Sequence, residues 1–261
     1  MLNIKELVVQ YAGNQQPSVD KFNLTINKGE IVCIVGESGS GKSTVLKSIL
    51  GALPKNVSVS GAISFHGHVL LKQTQKEWQK VRGSKVAMIF QDSSAALNPI
   101  RKIGKQYEEY ILQHEKMSLK KARGIAEEML MKMQLRNPTS VLDSYPHQLS
   151  GGMCQRVGIA MAMTFQPELL LADEPTSALD VVTQKKIVEE LLFVRENFNT
   201  SILLVTHNVA MAAYMADRLI VMQKGKMVDQ GEAMTVVEAP TSDYTKELLA
   251  AIPELERISY V

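Results

Sequence analysis

The nine residues from Gly36 to Thr44, GESGSGKST, constrain this chain more than any other stretch. They follow an apolar run, Ile31 to Val35, that reads as a buried strand, and they lead into a helix expected to begin near Lys42. Gly36, Gly39 and Gly41 permit positive-φ turns, so successive backbone N–H groups can face inward as an anion nest. The positive end of the following helix adds to the same spot. Lys42 offers a point charge to outer phosphates and Ser43 a hydroxyl ligand for Mg²⁺, with Ser38, Ser40 and Thr44 completing the loop. A flexible Gly/Ser turn would share the composition but not the place between strand and helix.

A length of 261 residues allows one large α/β domain or two modest ones, and 45% hydrophobic residues suffice for a real core. The net charge of +2 is too small for the basic face of a nucleic-acid binder, so no nucleic-acid partner is expected. No apolar run approaches the ~18 residues of a membrane span, and the start, MLNIKELVVQY, alternates like a strand and lacks a signal-peptide core. Cys33 and Cys154 read as reduced thiols. The expectation is a soluble cytoplasmic α/β protein.

Strands are expected over Leu2 to Val9 and Val19 to Ile26, then a hairpin-like turn at Asn27-Lys28-Gly29 before the strand Ile31 to Val35. Val57 to Leu71 reads as strands around His66-Gly67-His68, and Lys85 to Phe90 as another short strand. Helical periodicity runs from about Ile103 to Gln134 between breaks at Asn98-Pro99 and Asn137-Pro138, as an inserted helical subdomain would. A helix from Gly152 to Phe165, a strand Leu169 to Ala172 and a helix Val182 to Phe198 follow. The strand Ser201 to Thr206, a helix Asn208 to Ala216, a strand pair around Lys224-Gly225 and an amphipathic helix Ser242 to Ile252 complete the chain. This alternation argues for a mostly parallel sheet with helices on both faces.

Minor features have two readings each. Lys72, Lys76, Lys80, Arg82 and Lys85 read as a solvated face rather than a nucleic-acid stripe, since Glu77 interrupts them. His66-Gly67-His68 reads as a turn rather than a metal pair. Seven methionines between Met117 and Met163 read as half-buried core, with an adaptable groove for a partner helix as the alternative, which Met129 and Met133 would test.

A phosphate loop needs a carboxylate partner for its metal, and LLLADEP supplies Asp173 at the end of a buried strand. Glu174 beside it can orient and polarise an attacking water; capping of the next helix is the plainer alternative. His207, directly after the strand SILLV, lies where a neighbouring parallel strand would end. It suits a γ-phosphate contact, or else a buried, hydrogen-bonded histidine. In LSGGMCQR, Leu149 to Arg156, Ser150, Gly151 and Gly152 precede a helix and form a second anion-binding start. Two such sites in one chain point to two chains sharing ATP between them.

The ordered set GESGSGKST, Gln91, LSGGM, LLLADEP, SALD and His207 resembles the ATP-binding cassette (ABC) ATPases across about residues 1–235. The resemblance implies a P-loop NTPase core with an N-terminal antiparallel β subdomain and an inserted helical subdomain. Core residues would be 1–91 and 160–235, the helical signature subdomain 92–159, and a short helical tail 236–261. It implies Tyr11 stacked on adenine, Gln91 at the hinge to the helical subdomain and, with Ser43 and Asp173, beside Mg²⁺, and Asp180 at the dimer seam. MIFQDSSAALNP, YPHQLSGGM and SDYTKELLAAIP look like ATPase subunits of peptide and nickel importers. That branch implies a second ATPase subunit, a different chain in a heterodimer with a homodimer as the alternative, a membrane permease, an extracytoplasmic substrate-binding protein and a place on the cytoplasmic membrane face. Cys154 stands where relatives carry a basic or polar residue, which would alter a surface contact. The chain stops soon after Pro253 with no later cysteine, which favours the short nickel or metal-complex type. The alternatives are a soluble ABC accessory of an enzyme complex and a small-molecule kinase, which would leave LSGGM unexplained.

Overall fold

The computed structural model of the chain describes residues 1–177 and 179–251. Ala178 of the SALD stretch, and the expected end of the tail helix at Ile252 with everything after it, lie outside the described residues. The chain divides into two compact units, Met1–Gln79 with the chain from Ser201, and Lys80–Thr200.

In chain order, β1 (Leu2–Tyr11), β2 (Val19–Ile26), β3 (Ile31–Val35), α1 (Lys42–Ile49), β4 (Val57–Phe65), β5 (His68–Val69) and α2 (Gln75–Val81) come first. Then come β6 (Val86–Ile89), α3 (Ser93–Ala96), α4 (Ile103–His114), α5 (Leu119–Lys132), α6 (Pro138–Asp143), α7 (Gly151–Met163), β7 (Leu169–Asp173) and α8 (Val181–Phe198). The chain returns through β8 (Ser201–Thr206), α9 (Val209–Met215), β9 (Arg218–Gln223), β10 (Lys226–Glu232), α10 (Ala233–Glu238) and α11 (Asp243–Ala250).

In the first unit, β2, β1, β4 and β5 form an antiparallel sheet in that order. β1 keeps Leu2, Ile4, Leu7 and Val9 buried, and the slip in its alternation is a bulge at Glu6, whose φ is 48°. β3 has no exposed face: IVCIV is fully buried, with β8 and β9 parallel on either side and β10 antiparallel beyond β9. The expected hairpin at Asn27-Lys28-Gly29 is therefore not one. β2 pairs with β1 while β3 pairs with β8 and β9, so the turn carries the chain from one sheet to the other. An all-apolar strand needs cover on both sides, which the half-exposed β2 cannot provide. The tight β9–β10 turn has positive φ at both Lys224 and Gly225, as a two-residue type I′ hairpin turn requires.

The basic stretch contains a helix the periodicity does not reveal. α2 buries Trp78, the chain's single tryptophan, and leaves Lys76 and Lys80 exposed. Trp78 packs over Gly51 just past the end of α1, where an added Cβ would lie 2.4 Å from the indole. His66 and Gly67 form the turn between β4 and β5.

In the second unit, β6 and β7 pair in parallel and α3 to α8 supply the helical layer. The expected run from Ile103 to Gln134 is two helices, because Ser118 accepts the Lys121 N–H and starts α5 afresh. Asn137-Pro138, read as a break, opens α6 with Asn137 as cap and Pro138 in the first turn. Met129, Met133 and Met163 are buried, so the groove role for Met129 and Met133 gives way to core packing. Cys154 is buried as well, its Sγ 3.5 Å from the Pro146 carbonyl, so its substitution alters the interior rather than a surface contact. Burial pushes both the Cys154 and the Cys33 thiols up, away from the reactive thiolate.

Candidate functional site

The phosphate loop leaves β3 inside the first unit. Gly36 has φ 150°, and a Cβ there would come 2.1 Å from the Met222 carbonyl oxygen on β9. Gly41, φ 104°, is the N-cap of α1, and a Cβ on it would sit 2.2 Å from the Ser18 carbonyl oxygen. Gly39, φ 80°, has open space around it. Two glycines are therefore required by close backbone approach and one by its dihedral alone. Ser18 ends the loop that starts at Tyr11, so the segment opened by Tyr11 closes against the start of α1. Gly225 clamps the loop from the hairpin turn, its N–H donating to the Ser40 carbonyl at 3.0 Å.

Lys42 is buried, and its ammonium donates to the carbonyls of Gly36 and Glu37 at 2.7 Å each. Ser43 and Thr44 sit half-buried in the first turn of α1, and Ser38 is exposed. The parallel register pairs Val35 with Thr206, so Gly36 and His207 leave the sheet side by side. His207 is exposed rather than interior, which removes the buried-histidine alternative. Asn208 after it caps α9 by accepting the Met211 N–H at 2.9 Å.

One contact was not legible in the sequence. The Tyr244 hydroxyl of α11 accepts the Glu37 N–H at 3.0 Å. Amphipathic spacing marks the tail as a helix, but nothing in it points to residue 37.

The second unit gathers the remaining candidates into two groups. β6 and β7 pair Ile89 with Ala172, so Gln91 and the Asp173-Glu174 pair leave neighbouring strand ends. Glu174 holds φ at 44°, a strained value for a residue with a side chain, and its carbonyl accepts both the N–H and the hydroxyl of Ser177. The second group lies where α7 and α8 begin. Ser150 caps α7 by accepting the Met153 N–H at 3.2 Å, and a Cβ on Gly152 would lie 2.5 Å from Thr183 Cγ2. Asp180 caps α8 through the Thr183 N–H at 3.0 Å and accepts its hydroxyl at 2.6 Å. These bonds, the Thr183 hydroxyl foremost, hold the Asp180 carboxyl below its ordinary range. Gly151 and Gly152 thus lie beside the segment that carries Asp180.

The donors assigned to a cation are a hydroxyl (Ser43), a carboxamide (Gln91) and a carboxylate (Asp173), all hard oxygens of the kind Mg²⁺ prefers. Among the described residues no three His, Cys, Asp or Glu side chains gather as a metal site.

The family model described as ABC transporter matches residues 19–177. The dipeptide transport ATP-binding protein DppD of Escherichia coli (strain K12) is 42% identical over 97% of this chain and 79% of its own. The metal-staphylopine import system ATP-binding protein CntD of Staphylococcus aureus (strain NCTC 8325 / PS 47) is 37% identical over 96% of this chain and 92% of its own. Among solved structures, the dimeric ATP-binding cassette MJ0796 in a post-hydrolysis state with ADP and Pi superposes with a TM-score of 0.78 at 30% identity, covering 89% of this chain and 99% of that one. The cassette cbiO1 from Clostridium perfringens gives 0.79 at 24% identity over 100% and 98%, a likeness of fold.

Proposed function

This chain belongs to the ABC transporter family as an ATP-binding, ATP-hydrolysing transport subunit, and from that premise we propose how its residues divide the work. Its fold is that of the P-loop NTPases, with an antiparallel N-terminal sheet, parallel strands and helical segments. The loop from Gly36 to Thr44 cradles the ATP phosphates, with Ser38, Gly39, Ser40 and Gly41 presenting backbone N–H groups and Lys42 its charge. Tyr11 stacks on adenine. Ser43, Gln91 and Asp173 would hold Mg²⁺, which would supply positive charge against the phosphates.

Glu174 orients and polarises the attacking water, and His207 contacts the γ-phosphate from beside Gly36. Ser150, Gly151, Gly152 and Asp180 act on the nucleotide held by a second ATPase subunit, so each composite site uses both chains. The core of 1–91 and 160–235 does the chemistry, the helical stretch 92–159 meets the permease, and 236–251 forms a tail. The partner is a different ATPase subunit, and the pair sits on the cytoplasmic face of the membrane against its permease. An extracytoplasmic binding protein delivers the cargo, which the likeness to DppD and CntD makes a peptide or a metal complex.

The observation that carries this reading is the β3–β8 register, which sets the phosphate loop and His207 side by side at one sheet end. The test is ATPase activity of the chain alone and with membranes holding its candidate permease, beside Glu174→Gln. Activity should rise with the permease, and the variant should lose about 10²–10⁴ in rate while still binding ATP and pairing with its partner. Indifference to any permease would count against transport, and normal turnover by Glu174→Gln against the role of Glu174.

A further inference from the structure

The Glu37 peptide is held at both its N–H and its carbonyl. Its N–H donates to the Tyr244 hydroxyl at 3.0 Å, and its carbonyl accepts the Lys42 ammonium at 2.7 Å and the Ser40 N–H at 3.2 Å. Tyr244 is in turn set by the way α11 is seated. The buried Asp229 of β10 accepts the N–H groups of Thr241 and Ser242 at 2.9 and 3.2 Å and the Thr241 hydroxyl at 3.0 Å. These bonds fix the chain where α11 starts, and Thr245 and Leu249 bury its inner face. A continuous set of bonds thus runs from β10 through Asp229, the start of α11, Tyr244 and Glu37 to the ammonium of Lys42.

We infer that Tyr244 is a positioning residue for Lys42, acting through the Glu37 peptide, and that the seating of α11 thereby sets the affinity of the phosphate loop for ATP. The inference rests on the reading of Lys42 as the phosphate-binding lysine. A pre-held peptide lowers the ordering cost of binding, so loss of the hydroxyl should weaken ATP binding and leave the reacting groups untouched.

The test uses the full chain with Mg-ATP and a fluorescent ATP analogue. Tyr244→Phe keeps the ring and removes the hydroxyl. Kd and KM for ATP should rise about three- to tenfold, with kcat at saturating ATP changed less than about twofold, the range of one lost hydrogen bond. The nucleotide-free melting temperature should stay at the wild-type value, because the tyrosine is partly exposed. Asp229→Asn should weaken ATP binding in the same direction, and adding it to Tyr244→Phe should weaken binding further by less than its effect alone, since both act along one set of bonds. Unchanged affinity in Tyr244→Phe overturns the inference while wild-type binding keeps the phosphate-loop reading. A joint fall of kcat, affinity and melting temperature, or full additivity of the two variants, also overturns it. Failure of the wild type to bind Mg-ATP overturns both.

Discussion

Alanine at Gly36, Gly39 and Gly41 separates two reasons for a glycine in the same loop. At Gly39 only the positive φ is at stake, so Gly39→Ala should cost about 1 kcal/mol. At Gly36 and Gly41 the new methyl would meet backbone oxygens at 2.1 and 2.2 Å, so the cost should exceed about 3 kcal/mol as the loop is forced off its neighbours. Urea unfolding of the three variants checks the ranking; equal losses would mean that the close approaches relax freely. The glycines were legible from the motif, but which of them answers to crowding was not, because Met222 and Ser18 are distant in sequence. The same limit explains Cys154 and Met129, whose types suit an interior or a surface until the neighbours are known. Glu190 of α8 is a third residue of this kind. It is buried with Arg156 Nε 2.6 Å from one carboxylate oxygen, a close approach not aligned as a hydrogen bond. Burial, with Glu189 adding, pushes its carboxyl up to about 7 against the pull of Arg156 and Lys186. The native state then holds this proton more tightly than the unfolded chain, so stability falls as pH rises from about 4.5 to about 7 and levels off above. Glu190→Gln should remove that slope in unfolding measured at pH 5 and pH 7.5; a slope unchanged in the variant would assign it to other groups.

At the scale of elements, α7 has one residue in two roles. Ser150 caps the helix and belongs to the signature proposed to meet a partner's nucleotide. Ser150→Ala should lower stability by about 1 kcal/mol through the lost cap. Ser150→Asp keeps an acceptor for the Met153 N–H and should hold stability near wild type, yet its charge should abolish ATP-dependent pairing with the partner subunit. If both variants pair normally, Ser150 is a cap and nothing more. Strand and helix order was readable because β3 and residues 202–205 of β8 are unbroken apolar runs and α4 and α5 keep their period. The boundaries failed where one residue type serves opposite ends. Asn137-Pro138 ends a periodic stretch and equally opens α6, and Asn27-Lys28-Gly29 suits a hairpin as well as a passage between sheets. α2 escaped notice because a seven-residue helix with one buried tryptophan shows too little period to register.

Among the described residues no helix is long and apolar enough to cross a membrane. On the proposed peripheral seat, the chain should sediment with vesicles carrying its permease and leave them in an alkaline carbonate wash; retention after the wash would contradict that seat. The fold and the order of the motifs were legible because each motif ends a strand or starts a helix. The tail's contact with the loop was not, because it joins residues 37 and 244 through the third dimension alone. The packing of Trp78 over Gly51 has a practical consequence. A lone indole at the far end of the helix that springs from the phosphate loop is an intrinsic fluorophore with one address. Its emission colour and quenching by iodide give an unlabelled optical record of what α1 does as nucleotide arrives, in the wild-type chain and in real time.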